Sequence, residues 1–405
     1  MSLLTVVGGV YREVSMWPPS DDVYGSAGRA ACSIAHLGGN VRLIGYADEL
    51  ARETMAGHAD QFGFEWMPVS IERGVSFHYV HGLATPHVRD AIGVPGPLSV
   101  SGDCVLRYGM WKSDAVIDAE RAVYDPQNTY KPERFGANGS RAKHLAIVLN
   151  EHEAATLLGS GLPSSAEETA RAVAELENAE VVVLKRGPRG ALVFENGQMT
   201  SIPSYETRHV SKVGSGDQFV AHFAYGWMAE RISAAEAAAR ASKATAYYCE
   251  RGLFPSLSDL AEFDPKALSH GPRWLSGYKA KVYLAGPFFT LAQMWMVEQA
   301  RRHLNDMGLD VFSPYHDIGR GDAARVVPLD LKAIRECDLV FAITDGLDSG
   351  TVYEIGYARS EGRPVVVYSE NETAENLKMM EGSDCFMCAD FVSAIYRAAW
   401  IAVSL

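Results

Sequence analysis

One short segment in the last third of the chain has two carboxylates and several small residues at a spacing suited to sugar chemistry. It reads Asp348-Ser-Gly-Thr-Val-Tyr-Glu354 and follows an apolar run at 339–343. A helix that begins here places Glu354 in its first turn, where peptide dipoles and free N–H groups keep a carboxylate ionised. An ionised, positioned glutamate is what covalent attack on an anomeric carbon requires. The alternative is a purely structural role, in which Asp348 only caps the helix and Glu354 only complements the helix dipole.

The residues between these carboxylates are small enough to let a ligand reach the backbone. We predict Ser349, Gly350 and Thr351 as substrate-contacting residues, and Asp348 as an acceptor for a sugar hydroxyl. The prediction depends on the helix beginning at this segment, since only then do its free N–H groups point towards the ligand.

A second chemical segment lies near the middle of the chain, at Val213-Gly-Ser-Gly-Asp217. A glycine-rich turn into a helix points the N–H groups of Gly214, Ser215 and Gly216 at an anion. Asp217 then lies in the first turn, where it can accept the proton of an attacking hydroxyl during phosphoryl transfer. The alternative is that these glycines only cap a helix.

The elements around the first segment predict a parallel sheet. Apolar strands are expected at 281–285, 339–343 and 364–368, and a helix with apolar residues near the 3.6 period is expected from 291 to a stop at Gly308. Strands that alternate with helices form parallel sheets covered on both faces, and ligands bind at the carboxyl ends of the strands. We expect Tyr283, the loop after it, Asp338 and the 345–354 loop at that end.

This part of the chain resembles the nucleoside 2-deoxyribosyltransferase family over about 120 residues from Lys281 onwards. The resemblance rests on Tyr-Leu-Ala-Gly-Pro, Phe-Ser-Pro, Cys337-Asp338 and Asp-Gly-x-x-Asp-Ser-Gly-Thr-x-x-Glu in the family's order. It implies a glycosyl-enzyme intermediate on Glu354, orientation of that carboxylate by Tyr283, and a base or proton contact by Asp338. It also implies a nucleoside-handling loop and a site that a neighbouring subunit often completes. The loop residues are Gly286, Pro287 and Phe288.

The first two thirds resemble the PfkB family of carbohydrate and nucleoside kinases, the ribokinase-like fold, over roughly residues 3–262. The resemblance rests on a strand ending in Gly8-Gly9, a helix between 25 and 39, the strands at 41–45, 146–150 and 181–185, and the glycine turn before Asp217. It implies ATP and Mg²⁺ as cofactors and Asp217 as the catalytic base. The residues implied to hold ATP, phosphate or (indirectly) Mg²⁺ are Gly214, Ser215, Gly216, Asn150, Glu153, Lys185 and Gly187.

The acceptor pocket departs from the sugar-kinase pattern at Tyr11, Glu13 and Arg29, where family members carry Asn, Asp and Asn. Either Arg29 binds an anionic or base-bearing substrate, or it pairs with a nearby acid such as Glu13. The family's small β lid is expected from Tyr11–Val23 and Phe64–Leu83, and pairing of such lids predicts self-association. The predicted acceptor residues are Glu13, Gly25, Arg29 and Gly39.

We therefore predict an α/β protein of two domains. Residues 1–270 form a ribokinase-like α/β/α domain with a small β lid, residues 271–279 form a linker, and residues 280–405 form a flavodoxin-like or Rossmann-like parallel sheet domain. Two prolines and two glycines between 263 and 278 favour the linker. The length of 405 residues also favours two cores over one.

Composition indicates a cytoplasmic enzyme with small-molecule substrates. Hydrophobic residues are 47% and charged residues 21%, and the net charge of −13 argues against nucleic acid as a partner. We expect no membrane partner, since no leader-like or spanning run is evident. The six cysteines are scattered, and the pair Cys385-x-x-Cys388 lacks the further ligands of a zinc site.

The two resemblances together predict a bifunctional enzyme that acts on nucleosides, nucleotides and sugars. One site would phosphorylate a hydroxyl with ATP, and the other would transfer or cleave an N-glycosidic bond. The alternative is an N-glycosidase for a nucleoside, nucleotide or dinucleotide that is gated by a kinase-like sensor. The sequence leaves the base, the sugar, the phosphate acceptor and the choice between transfer and hydrolysis open.

Overall fold

The chain, seen as a computed structural model, is described over residues 2–127, 131–159 and 165–405. It divides into two compact units, one of Met1–Thr207 with Ser211–Ala267, and one of Arg208–Val210 with Leu268–Leu405. The segment 271–279, for which the sequence predicts a linker, belongs to the second unit. The domain boundaries themselves stay a prediction.

The described part of the first unit contains thirteen strands. They are β1 (Leu4–Val7), β2 (Arg12–Trp17), β3 (Ser20–Val23), β4 (Val41–Ala47), β5 (Glu65–Ser70), β6 (Ser76–His81), β7 (His87–Arg89), β8 (Leu98–Tyr108), β9 (Ala115–Asp125), β10 (Arg141–Asn150), β11 (Val181–Lys185), β12 (Ala191–Glu195) and β13 (Gln198–Ile202). Nine of them form one sheet in the order β13-β12-β11-β10-β9-β8-β1-β4-β5, and every neighbouring pair from β11 to β5 is parallel.

Helices cover both faces of this sheet, and the strand segments beneath them are buried and largely apolar. The helices are α1 (Gly25–His36), α2 (Glu49–Phe62), α3 (Glu151–Leu158), α4 (Ala166–Glu177), α5 (Ser215–Ala224), α6 (Ala234–Arg251) and α7 (Leu257–Glu262). Short 3-10 turns occur at Phe135–Asn138 and Gly187–Arg189, and a π-helical turn at Tyr225–Glu230 extends α5. One core lies between the sheet and α1, α5 and α6, and a second core lies beneath α3 and α4.

A second, small sheet of the first unit has the order β3-β2-β6-β7. It contains the predicted lid segment Tyr11–Val23 as the antiparallel pair β2 and β3. The other predicted segment, Phe64–Leu83, is only partly correct, because β5 pairs with β4 in the large sheet and only β6 joins the small one. Alternation of apolar residues cannot distinguish these strands, since both are partly buried on one face.

The second unit is a five-stranded parallel sheet with helices around it. Its strands are β14 (Lys281–Ala285), β15 (Asp310–Phe312), β16 (Leu339–Ile343), β17 (Val365–Tyr368) and β18 (Phe386–Cys388), in the order β15-β14-β16-β17-β18. Its helices are α8 (Pro272–Leu275), α9 (Leu291–Asp306), α10 (Pro314–Asp317), α11 (Ala323–Glu336), α12 (Ser349–Ser360), α13 (Ala374–Gly382) and α14 (Phe391–Val403). The order places β14 and β16 side by side in the middle, so their carboxyl ends form the crevice where ligands bind in such sheets.

Both units therefore have the predicted α/β class, with a small β sheet in the first and a parallel sheet in the second. Among the described residues, no helix combines the length and the apolar composition needed to cross a bilayer.

Candidate active sites

In the second unit, a buried tyrosine and a half-buried glutamate meet beside the middle of the sheet. The hydroxyl of Tyr283, on β14, donates to Glu354 Oε1 at 2.6 Å. Asp348 caps α12 by accepting from the Thr351 N–H at 2.9 Å and from its hydroxyl at 3.0 Å. This cap fixes the start of α12 directly after the loop that follows β16, and the helix carries Glu354 to the tyrosine.

The charge state of Glu354 differs from the sequence-based expectation. Because α12 begins at Ser349, Glu354 lies in the second turn and not in the first. Burial raises the pKa of Glu354 to about 7, and the charges of Asp330 and Asp348 add to that rise. The hydrogen bond from Tyr283 opposes it. The predicted dipole stabilisation of the ionised form is therefore wrong, since helix-terminal charges act only within the first turn.

Asp330 is a candidate site residue that the sequence reasoning missed. It lies on α11, its Oδ1 is buried, and no described residue donates a hydrogen bond to that atom. Burial raises the pKa of Asp330, an interaction with the nearby Tyr283 hydroxyl opposes that rise, and the charge of Asp330 acts on both Tyr283 and Glu354. No motif marks a single aspartate in a helix. The only sequence signal is its position among the apolar residues of Val-Val-Pro-Leu-Asp-Leu.

Asp338, in contrast, is not brought to this cluster. It immediately precedes β16 and so lies at the amino end of the sheet. Its carboxylate accepts from the Tyr278 hydroxyl at 2.8 Å, from the Lys281 N–H at 2.8 Å, and from Arg273 at 2.8 Å. These donors bind both oxygens of a nearly buried carboxylate, which is the environment of a structural anchor.

The remaining predicted residues of this unit lie at the carboxyl ends of the strands. Gly286, Pro287 and Phe288 follow β14, and the ring centroid of Phe288 lies 5.5 Å from that of Tyr315. A Cβ added to Gly286 would meet Ile343 at 3.3 Å, so glycine allows β14 and β16 to end close together. Ser349 and Gly350 are exposed at the start of α12, whereas Thr351 is buried against Asp348.

In the first unit, the glycine-rich turn forms the N-terminus of α5, as predicted. Gly214 is the N-cap residue of α5. It requires glycine for two reasons: its φ is +81°, and an added Cβ would overlap the Arg29 side chain. No atom lies within 4 Å of the Cβ position at Gly216, which leaves open space beside the free N–H groups of the first turn. Lys212 Nζ lies 3.2 Å from the Ser215 hydroxyl. This arrangement fits a phosphate group.

Both carboxylate oxygens of Asp217 already accept hydrogen bonds from side chains. Arg29 Nη1 donates to Oδ2 at 2.8 Å, and Gln127 Nε2 donates to Oδ1 at 2.6 Å. Arg29 also donates through Nη2 to Glu13 at 2.6 Å. Arg29, Glu13 and Asp217 are only 3%, 5% and 6% exposed. The structure thus pairs Arg29 with two acids. Gln127 is a second residue that the sequence reasoning missed.

Asn150 and Glu153 bind each other in a capping box at the start of α3. The Asn150 N–H donates to Glu153 Oε2 at 2.8 Å, and the Glu153 N–H donates to Asn150 Oδ1 at 2.9 Å. Beside them, Lys185 Nζ lies 2.7 Å from Asp125, whose pKa is raised by complete burial and lowered by the lysine. No three His, Cys, Asp or Glu side chains in the described ranges form a group that could hold a metal ion. These residues fit Mg²⁺ only as water-mediated partners of a metal that phosphates hold.

The other predicted glycines of this unit have local structural reasons. Gly187 adopts φ of +56° at the start of a 3-10 turn after β11. Gly25 adopts φ of +61° and packs against Gly9 at the start of α1, and Gly39 packs against Ile34 just after that helix. Their roles in ligand binding stay predictions.

A cavity of about 310 Å³ opens between the small sheet and the ends of the central strands. Gln127 lines it together with apolar and aromatic side chains that include Tyr11, Phe77 and Trp111. Through Gln127 the cavity is in contact with Asp217.

Comparisons with known proteins relate two segments of the chain to two enzyme families. Residues 141–253 match the family model of the pfkB family carbohydrate kinases, and residues 282–385 match that of nucleoside 2-deoxyribosyltransferase. The chain thus contains one segment similar to each of these two families. Both resemblances expected from the sequence are confirmed. No curated protein matches the chain.

Several solved structures are similar to the first part of the chain. A pyrophosphate-dependent kinase of the ribokinase family, complexed with a pyrophosphate analog and myo-inositol, is 16% identical with a TM-score of 0.47, covering 64% of this chain and 100% of its own. Ribokinase from Thermotoga maritima is 15% identical with a TM-score of 0.48, covering 65% and 99%. A nucleoside kinase from Methanocaldococcus jannaschii is 13% identical with a TM-score of 0.49, covering 65% and 97%.

Proposed function

We propose that the chain is a bifunctional enzyme of nucleoside metabolism, whose second unit transfers or cleaves an N-glycosidic bond through Glu354. The observation that carries this proposal is the 2.6 Å bond between the Tyr283 hydroxyl and Glu354 within a group of three carboxylates. A nucleophilic carboxylate needs a fixed orientation and an exposed approach, and a tyrosine that holds one oxygen leaves the other free to attack.

In the proposed reaction, Glu354 attacks the anomeric carbon of a nucleoside, a C–O bond forms, and the C–N bond to the base breaks. The base leaves with the electron pair and takes a proton. We assign that proton to Asp330 and not to Asp338, because Asp330 has a buried oxygen without a donor and a raised pKa. A second base or a water molecule then attacks the same carbon and releases Glu354.

For the first unit we propose phosphoryl transfer from ATP to a hydroxyl, with Asp217 as base and the N–H groups at Gly214–Gly216 as the anion site. When bound, Mg²⁺ would neutralise charge on the moving phosphoryl group, with Asn150 and Glu153 holding it through water. Arg29 and Gln127 each donate one hydrogen bond to an oxygen of Asp217. An acceptor hydroxyl would therefore bind at a remaining lone pair or in place of one of these donors.

The same occupation of Asp217 favours a second candidate function for this unit. A kinase-like domain whose base already accepts a hydrogen bond at each oxygen could bind nucleotide without turnover and gate the glycosidic site. The intact glycine turn and the open space at Gly216 favour the kinase instead, since a sensor needs no proton acceptor beside its anion site.

The test is to incubate the full-length protein with a panel of ribonucleosides, deoxyribonucleosides and their monophosphates, with and without ATP and Mg²⁺. Free base and ADP are measured by chromatography. Base release without ATP supports the glycosidic activity, and a new nucleoside after addition of a second base identifies transfer. ADP formation that depends on an acceptor supports the kinase, whereas nucleotide binding without consumption across the panel supports the sensor. Absence of base release under all conditions would reject the role of Glu354.

A further inference from the structure

The cavity beside Asp217 is uncharged. None of the described residues that line it is an aspartate, glutamate, lysine, arginine or histidine. Two cations lie near the cavity without being part of its lining, and both are already paired with acids. Arg29 pairs with Glu13 and Asp217. Lys112, whose Nζ lies 6.0 Å from the centroid of the Trp111 ring, pairs with Asp90. An anion placed in the cavity would lose its hydration without gaining a counter-charge, which is strongly unfavourable. The lining thus selects against phosphorylated or carboxylated acceptors.

The walls of the cavity suit a flat ring. Tyr11 and Phe77 line it as a ring pair with centroids 4.7 Å apart, and Trp111 and Met110 lie in the same lining. Several of the polar atoms on these aromatic residues are already paired, since the Tyr11 hydroxyl lies 2.8 Å from the Ser26 hydroxyl and the Trp111 N–H donates to Asp90 at 2.7 Å. The volume of about 310 Å³ is at the small end of ligand pockets. A free sugar, with hydroxyls on every side, would find few partners here.

Gln127 is the polar group that links this apolar cavity to the carboxylate. It lies two residues after β9, where its backbone N–H donates to Asp125 at 3.3 Å and its side chain donates to Asp217. Its φ of +42° is unusual for a residue other than glycine, and such strain persists only where the surroundings enforce it. Replacing the Gln127 donor is the shortest route by which a molecule in the cavity could reach Asp217 Oδ1.

We propose that this cavity is the acceptor end of the kinase site, that it selects a neutral alcohol bearing a flat ring, such as an uncharged nucleoside, and that Gln127 positions its hydroxyl. The transfer step rests on the proposed kinase function, whereas the binding does not. The acceptor hydroxyl donates to Asp217 Oδ1 in place of Gln127 Nε2, which then donates to a neighbouring acceptor oxygen. In the transfer, the O–H proton passes to Asp217 and the acceptor oxygen bonds to the γ-phosphorus of ATP. ADP leaves with the electrons of the broken P–O bond.

Binding is tested on the full-length protein by tryptophan fluorescence, because Trp111 lines the cavity. Titrations use an uncharged purine nucleoside, an uncharged pyrimidine nucleoside, their 5′-monophosphates and free ribose. The Trp111→Phe variant identifies the part of the signal that comes from this site, since the nucleosides can also reach the second unit. We expect a Trp111-dependent response to at least one nucleoside at a concentration at least tenfold lower than for its monophosphate or for ribose. An equal or stronger response to the monophosphate or to ribose, or no Trp111-dependent response, overturns the proposal.

The role of Gln127 is tested with three variants. Gln127→Leu is expected to lower kcat/KM for the nucleoside acceptor about tenfold to a hundredfold, with KM for ATP unchanged. Gln198→Leu makes the same change at an exposed position of the same unit and should leave both constants at wild-type values. Gln127→Asn keeps the amide, and asparagine tolerates positive φ, so it should fold as well as the wild type and recover part of the loss.

These outcomes separate the inference from the proposed kinase function. Trp111-dependent binding without phosphorylation leaves the neutral cavity standing and removes the kinase reaction. Two outcomes would show that Gln127 does not position the acceptor. In the first, Gln127→Leu has the same acceptor kcat/KM as Gln198→Leu. In the second, the only defect of Gln127→Leu is a lower Tm, and Gln127→Asn has the same defect.

Discussion

The key carboxylates of the two units lie in opposite electrostatic surroundings. Asp217 in the first unit faces a buried guanidinium, and both its oxygens are bonded. Glu354 in the second unit is bonded by one neutral hydroxyl and lies near Asp330 and Asp348, which contribute to a pKa of about 7. Each carboxylate is carried by a helix that begins beside the ends of parallel strands. The two carboxylates therefore have similar positions in their folds. Their electrostatic surroundings differ because different side chains pack against them, Arg29 and Gln127 at Asp217 and Tyr283 and Asp330 at Glu354.

These different surroundings imply that the two carboxylates would become reactive in different ways. In the proposed kinase reaction of the first unit, the acceptor takes the place of one donor to Asp217, which couples reaction to binding. In the second unit the raised pKa of Glu354 lies near neutral pH, so the proposed attack by Glu354 would depend on pH and on the charges around it.

Removing the charge of Glu354 should have the largest effect. Glu354→Gln keeps the size of the side chain but is not a nucleophile, so base release should fall about 10³-fold or more. ADP formation by the first unit should remain. Glu361→Gln, at the exposed end of the same helix, is the matched control. Chromatography measures both products, and loss of both activities in Glu354→Gln would contradict the independence of the two sites.

Breaking the buried triad of the first unit should have the largest effect on stability. Arg29→Met leaves Glu13 and Asp217 buried without a cation and should cost about 3–5 kcal/mol in the free energy of unfolding. Arg12→Met removes a pair with Asp21 whose side chains are 46% and 52% exposed, and should cost about 0–1 kcal/mol. Urea denaturation measures both variants. Equal losses would show that the buried triad is no more important than a surface pair.

The pH dependence of base release tests the surroundings of Glu354. In the proposed reaction Glu354 must be ionised to attack, so base release should fall as the pH drops through its pKa of about 7. The Tyr283 hydrogen bond lowers that pKa, and Tyr283→Phe should therefore move the acid limb to higher pH and lower kcat about tenfold at neutral pH. The control is Tyr353→Phe, which changes an exposed side chain beside Glu354 on α12 and should leave the pH profile of base release unchanged. An acid limb that moves to lower pH in Tyr283→Phe would reject this account.

The smallest stability effect is expected at the capping box of α3. Asn150→Ala should cost about 1 kcal/mol in unfolding free energy because it removes the cap, whereas Asn150→Ser retains a capping oxygen and should cost only a few tenths. If Asn150 also acts on Mg²⁺ and phosphate, Asn150→Ser should still lower ATP turnover about tenfold. Full turnover in this variant would leave Asn150 as a helix cap alone.

The sequence predicts the central strands of the second unit to the residue. The ends of β14 and β16 coincide with the predicted 281–285 and 339–343, because both are continuous apolar runs bounded by polar residues. The helix after β14 and the α5 turn at Gly214 also follow from local signals, namely apolar periodicity and glycine punctuation. The strands β8 and β9 were not identified from the sequence. Each alternates between buried and more exposed residues in its first half and is continuously buried in its second half, so neither a uniform apolar run nor a uniform alternation spans the strand.

The candidate sites depend on contacts that local patterns cannot show. Arg29 meets Asp217 across 188 residues of sequence, and Gln127 meets it across 90. Resemblance to a family placed Asp217, Tyr283 and Glu354, but Asp330 and Gln127 follow only from the fold. Burial is also a property of the fold, and for this reason the raised pKa of Glu354 contradicts an expectation based on helix position alone.

The anchoring of Asp338 has a practical consequence for producing the second unit as a separate fragment. A fragment beginning at residue 280, the boundary that the sequence suggests, would lack Arg273 and Tyr278 and leave Asp338 with only the Lys281 N–H as donor. An under-bonded buried carboxylate costs about 1–3 kcal/mol, enough to reduce recombinant yield. It would also lose Gly271, whose N–H donates to Val403 at 2.9 Å. Cloning from Leu268 keeps all of these bonds.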